Sequence, residues 1–255
     1  TGDKKVIEIK ENMQAVLSQD SSVIVNRNEL KHTETSGRPI INKLVVPKGG
    51  EFAIVLADGT KIWLNADTRL KYPTFFTGDK REVELEGEAY FSVRKNPAQP
   101  FIVKTEQLSV KVLGTKFNVK AYPDDECITA TLTSGKVEVS PQSQAPQTLA
   151  PNEQLIYNIK TSVLNIEKVS PAETDAWLSG QILFINTSFG EMIQTLERHF
   201  NVTIDDKTAI SASKQYTVKF LKGETLDEIL NVLKDVVGFT YRQQGATIVL
   251  SKQYK

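Results

Sequence analysis

The sequence predicts a mainly β chain that ends in a small α+β unit: a β-solenoid or a β-sandwich, followed by a duplicated βαβ module. Three observations carry that prediction. From about Ile40 to Ile159 apolar residues alternate with polar ones, the period of a half-buried strand. Within that stretch glycines recur at Gly59, Gly87, Gly114 and Gly135, each followed by an alternating run, at irregular spacings of 28, 27 and 21 residues. Beyond Trp177 the period lengthens to that of a helix, and the phrase SFGEMIQTLERHFNVTI (188–204) returns 37 residues later as TLDEILNVLKDVVGFTY (225–241).

Residues 1–43 read as a β-rich lead-in that packs on the main β-domain. KVIEI and SSVIVN are short β-like runs separated by polar turns, consistent with an outer coil of the same β-structure; KHTETSGRP (31–39) reads as a mobile loop. The main β-domain is expected over 44–172. In EFAIVLADGTKIWLN two alternating runs flank Asp58-Gly59, a pair that tolerates left-handed backbone and so marks a hairpin or corner. EVELEGEAYFSVRKNPAQPFIVKT, LSVKVLGTKFNVKAY and ITATLTSGKVEVS supply further strands, and SPQSQAPQT (140–148) reads as an exposed loop. Solenoids and sandwiches both need short strands with glycine corners, so periodicity leaves the two open.

Residues 173–255 are expected to form the duplicated module. Phe189, Met192, Ile193, Leu196 and Phe200 fall on one stripe of a helix; Leu226, Ile229, Leu230, Leu233 and Val237 do the same. Each helix opens on a capping box, Ser188 with Glu191 and Thr225 with Glu228, in which hydroxyl and carboxylate satisfy N–H groups orphaned by the first turn. Each stops at a residue suited to the left-handed conformation, Asn201 or Gly238. The strands VTI and FTY follow, and ILFIN and YTVKFL precede, with Phe184 matching Leu221 at the same offset. Two such units would pack their helices on a shared small sheet closed by ATIVLSK.

The composition excludes several function classes. Lys and Arg total 31 and Asp and Glu total 31, so the overall charge gives no footprint for nucleic acid or for an anionic membrane. No apolar run approaches the roughly 18 to 20 residues of a membrane span. The opening TGDKK is neither a signal peptide nor a start methionine and reads as a trimmed piece of a longer protein. Cys127 is the sole cysteine and reads as buried and inert in CITATL. Of two histidines, His32 lies in a polar loop and His199 in the last turn of the first helix, where a cation suits the dipole; both read as solvated. No metal-ligand spacing, nucleophile elbow or phosphate loop occurs, so neither cofactor nor metal is expected. The candidate for catalysis is REVELEGEAYF, where Glu82, Glu84, Glu86 and Glu88 alternate along one strand face. Val83, Leu85, Ala89 and Phe91 on the opposite face make it equally a strand with one wet side, and the chain reads as not an enzyme. DDE (124–126) reads as an acidic turn.

VPKGGEFAIVLADGTKIWLNADTRLKYPTFF, REVELEGEAYFSVRKNPAQPFIVKT, VKVLGTKFNVKAY and TLTSGKVEVS together resemble the extracytoplasmic region of FecR-type transmembrane anti-sigma factors. LAPNEQLIYN and AWLSGQILFINTSFGEMIQTLERHFNVTI continue the resemblance into their C-terminal domain, which is similar to the secretin and TonB N-terminus fold. It covers about Leu44 to Leu250. The resemblance implies a periplasmic signal receiver that binds the signalling domain of a TonB-dependent outer-membrane transporter and relays its state to a sigma factor. It further implies that a cytoplasmic domain and a single inner-membrane helix, both outside this sequence, bind the sigma factor and anchor the protein. Gly59, Trp63, Leu64, Gly87, Phe91, Gly114 and Phe117 belong to the fold in this reading.

The partner-binding surface is expected on the C-terminal module, because a small open sheet has unpaired edges that can take a partner's strand. QYTVKFL is the expected edge, with Gln215, Thr217 and Lys219 on one side and Tyr216, Val218 and Phe220 on the other; Arg198, His199 and the Lys222-Gly223 turn would form a polar rim. The alternative is a β-domain that binds a glycan or iron chelate directly, with YPTFF (72–76) supplying the aromatic platform; a third reading is a hydrolase using the Glu82–Glu88 face.

Overall fold

In the computed structural model, residues 38–142, 144–170, 176–210 and 213–252 are described in full, together with the backbone of four short strands before them. Those four are β1 (Val6–Glu8), β2 (Met13–Leu17), β3 (Val23–Val25) and β4 (Asn28–Leu30). His32 and residues 31–37 of the expected loop lie outside the described residues. The chain divides into two compact units, Thr1–Thr174 and Asp175–Lys255.

The first unit continues with β5 (Ile41–Val46), β6 (Phe52–Val55), β7 (Lys61–Leu64), β8 (Thr68–Pro73) and the long β9 (Arg81–Ser92). Then come β10 (Phe101–Lys104), β11 (Leu108–Val112), β12 (Lys116–Ala121) and β13 (Cys127–Ser134). It closes with β14 (Val137–Pro141), β15 (Gln147–Leu149), β16 (Glu153–Asn158) and β17 (Leu164–Lys168). SPQSQAPQT is thus the tip of the β14–β15 pair, not wholly loop. Burial alternates along these strands as the period predicts: in β5, Asn42, Leu44 and Val46 are buried while Ile41 is exposed.

All seventeen strands belong to one sheet that curls through β9. The first half of β9 pairs with β8 and β10, in an order that runs β1-β5-β8-β9-β10-β11-β14-β15. Its second half pairs with β7 and β12, in the order β4-β3-β2-β6-β7-β9-β12-β13-β16-β17. The two halves enclose one apolar cluster, with Leu44, Leu70 and Phe101 from one and Ile54, Leu64 and Phe117 from the other. Phe91 joins them, stacked on Phe117 at 5.0 Å and tilted against Phe101 at 6.3 Å.

Gly87 departs from the corner role expected of it, because it lies inside β9 where the strand passes from one half to the other. Its φ is 111°, and a Cβ there would sit 2.7 Å from the Thr68 Cα. Only glycine allows that crossing. Gly59 does turn the β6–β7 hairpin: its N–H donates to the Leu56 carbonyl at 2.8 Å, and Asp58 accepts from the Thr60 N–H and hydroxyl. Arg81, 1 % exposed, ties that turn to the start of β9 by donating to Asp58 at 2.7 Å and to the Gln99 and Arg94 carbonyls. Cys127 is half-buried rather than buried, since it opens β13 at the sheet's end and takes a contact from the Asn158 amide at 3.7 Å. The 124–126 stretch is a turn, as expected, although Asp125 is buried and paired with Lys120 at 3.2 Å.

The second unit comprises β18 (Ile182–Ser188), α1 (Phe189–Phe200), β19 (Thr203–Lys207), β20 (Gln215–Phe220), α2 (Leu226–Leu233), β21 (Phe239–Gln244) and β22 (Thr247–Lys252). Both capping boxes form, and Asn201 ends α1 in the left-handed region. Met192, Leu196, Ile229 and Leu233 pack with Phe184, Phe220, Phe239 and Leu250 in one core. Three expectations are corrected. The helices do not share one sheet: β18 pairs with β20, while β22 lies between β19 and β21. The second helix ends at Leu233 and gives way to a wider π-type turn over Lys234–Gly238. Finally, Phe184 and Leu221 are not equivalent, because Phe184 is buried in the core against Phe220 whereas Leu221 is exposed.

Candidate functional site

The acidic face of β9 is neutralised across the strands. Glu84 pairs with Lys71 at 2.6 Å, Glu86 with Arg69, and Glu82 with Lys104 at 2.7 Å and Lys80 at 2.9 Å. Glu88 accepts from the amides of Asn65 and Asn118, both at 2.9 Å. Burial alone would raise the Glu82 carboxyl, but the two lysines reverse that and hold it below its ordinary range. A general acid needs the opposite shift. Among the described residues no cluster of three or more His, Cys, Asp or Glu is placed to hold a metal ion, and no helix is long and apolar enough to cross a membrane.

YPTFF is not an aromatic platform. Tyr72 is 1 % exposed, its hydroxyl pushed up by burial, and Phe76 meets Phe101 edge-on at 5.8 Å within the core. The period-two pattern of β8 turns Tyr72 inward, so a stretch that looks sticky in the sequence is spent on packing.

The β18–β20 pair offers a backbone edge. Along β20, Gln215, Thr217 and Lys219 are exposed, Tyr216 and Val218 half-buried, and Phe220 buried. Its register with β18 pairs Ile182 with Phe220 and Phe184 with Val218. A bulge then interrupts β18: Asn186 adopts a φ of 47° and donates its N–H to the Thr217 hydroxyl at 3.1 Å, while the Ile185 N–H donates to the Thr187 hydroxyl. Bulges blunt an edge. By contrast β20 contains no glycine or proline, and among the described residues β18 is the strand paired with it. Its far side therefore presents regularly spaced main-chain donors and acceptors.

The expected polar rim is partly overturned. Arg198 is 4 % exposed, although its position is about half a turn from the apolar stripe of α1, so it is not a solvent-facing group. His199 is half-buried and meets the Phe200 ring edge-on at 4.7 Å; burial lowers its pKa. Both remain in the last turn of α1, a separate element from the contiguous Gln215–Lys219 segment. The Lys222-Gly223 turn is exposed, with the Lys222 chain lying against Gly180. Sequence reasoning missed two exposed apolar groups flanking the β18–β20 pair, Ile185 at 39 % and Leu221 at 59 %. Ile185 falls on the outward side of β18 with Leu183, and the unbroken apolar run ILFI gives no signal of which residues face out.

Comparison with known proteins matches this division. The FecR protein family profile matches residues 42–138, and that of the FecR C-terminal domain matches residues 181–250. Two crystal structures of a protein from Parabacteroides distasonis ATCC 8503, described as an anti-sigma factor, are similar to this chain. One is 37 % identical with a TM-score of 0.79, covering 83 % of this chain and 99 % of its own. The other is 36 % identical with a TM-score of 0.80, covering 84 % of this chain and 100 % of its own. No curated protein matches the sequence.

Proposed function

Because the chain belongs to the FecR family of anti-sigma factors, we propose that it is the signal-receiving region of a regulator and binds the periplasmic signalling domain of a TonB-dependent outer-membrane transporter. Proteins of this family are membrane-anchored with a periplasmic region. In this reading residues 44–172 are the β-domain and residues 173–255 the receiving module, and the bound state is relayed to a sigma factor held by another part of the regulator.

The observation that carries the reading is the open side of β20. A partner strand laid along Gln215–Phe220 gains a ladder of main-chain hydrogen bonds, and alternate apolar side chains on it would complete the cover over Tyr216 and Val218. Lys219 and Thr217 on the other face then set register through charge and hydrogen bonding. Hydrogen exchange on the whole chain tests this. Adding the transporter's signalling domain should slow exchange of amides within 215–220 by at least tenfold; saturating binding with protection confined to other segments would rule out capture by β20.

A further inference from the structure

We propose that one end of the β-domain is a basic rim that rests on an anionic phospholipid surface. The short phrase Gly-Thr-Lys occurs twice, at 59–61 and 114–116. In both copies the threonine is buried and the lysine exposed. Lys61 and Lys116 are each in register with Ser92, one from either side, and Lys116 is also opposite Ser134. The two lysines thus stand in one row, their Cα atoms about 9.5 Å apart over two strand spacings.

The neighbouring turns extend the row. Arg94 lies over Gly59, and Lys95 lies against Gly114, while Gly135 abuts Thr115, whose hydroxyl donates to the Lys136 carbonyl. Arg94, Lys95 and Lys136 are all exposed. None of these five cations has an acidic partner among the described residues. Of the acids near these turns, Asp58 pairs with Arg81 at 2.7 Å, Glu138 with Lys111 at 3.4 Å, and Glu153 accepts from the Ala150 N–H at 2.8 Å. Leu113, an exposed apolar side chain, projects from the same turn as Gly114. Cations around a protruding leucine match a headgroup layer, with charge at the phosphates and the apolar group at the acyl boundary.

Strand direction shows at which end the chain enters this sheet. The strand β1 runs parallel to β5; β5 is antiparallel to β8, and β8 to β9. Hence β1 enters at the end where β9 begins, and β9 begins with Arg81 hydrogen-bonded to the Arg94 carbonyl in the rim. In a family whose members are membrane-anchored with a periplasmic region, a bilayer is the anionic surface at hand for such a rim. This step rests on family membership and not on strand capture at β20, so the two proposals fail independently.

Vesicle co-sedimentation of the whole chain decides the matter. Phosphatidylcholine vesicles containing phosphatidylglycerol should bind the protein at low salt, release it as salt rises, and exceed pure phosphatidylcholine by at least tenfold. Each of K61A, K95A, K116A and K136A should lower the partition coefficient roughly fivefold. K160A, which removes an equal charge at the opposite end, should leave it unchanged, with melting temperatures confirming that every variant folds. Equal binding to neutral and anionic vesicles, no binding to either, or full binding by the quadruple alanine variant would overturn the proposal. Binding to polyglutamate as tight as to vesicles would assign the rim to an acidic protein and overturn the lipid reading too.

Discussion

Gly87 shows how one backbone position can decide a fold. Its φ of 111° and its contact with Thr68 leave no room for a side chain, and the strand crossing between sheet halves occurs there. Gly87→Ala should cost about 3 kcal/mol in urea unfolding, combining strained dihedrals with a clash against backbone atoms. Gly78 has a φ of 79° but open space around it, so Gly78→Ala should cost only about 1 kcal/mol. Equal losses at the two sites would show that close approach is not what excludes a side chain from position 87. The sequence marks Gly87 only as one of a series of glycines, since its partner Thr68 comes from a distant strand. His199 adds a pH dependence. Burial lowers its folded pKa below the unfolded value near 6.5. The unfolded chain then binds the proton more readily, so stability is retained above that value and falls as pH drops towards the folded pKa. His199→Gln should flatten that part of the stability curve; an unchanged acid limb would remove His199 as its source.

At the scale of elements, what local chemistry specifies is what the sequence discloses. Ser188 and Thr225 each accept from the N–H three residues on, while Glu191 and Glu228 accept from the cap N–H groups, as the spacing of these four residues predicts. Ser188→Ala and Thr225→Ala should each destabilise the second unit by about 1 kcal/mol, measured by chemical unfolding followed through helix circular dichroism. No change for either would mean that packing of the apolar stripe alone fixes the helix start. The stripes are equally legible, because a helix repeats its face within a few residues. Strand order is not: nothing near Thr247 announces that β22 will part β19 from β21, since that depends on the space left once both helices have packed. The burial of Arg198 was likewise hidden, as helical phase places it opposite the stripe. The glutamates of β9 show the same limit from the other side, for four acids in alternation resemble a reactive face until Arg69, Lys71 and Lys104 arrive from other strands and Lys80, just before β9, pairs with Glu82.

For the molecule as a whole, sharing β9 between the two sheet halves has a mechanical consequence. Peeling either half away strips one end of β9 and exposes Phe91, which touches both Phe101 and Phe117. Partial opening then forfeits most of the burial that holds the other half, so the first unit should open as one cooperative body. Native-state hydrogen exchange in sub-denaturing urea provides the measure. Amides of β8 and β10 in one half, and of β7 and β12 in the other, should converge on the same opening free energy with the same urea dependence. The terminal strands β15 and β17 each have one paired neighbour and should exchange at lower free energy. Separate isotherms for the two halves would mean that they slide or part independently, and a signal could then pass through the interior of the β-domain. A single isotherm would confine signalling to the surface of the β-domain.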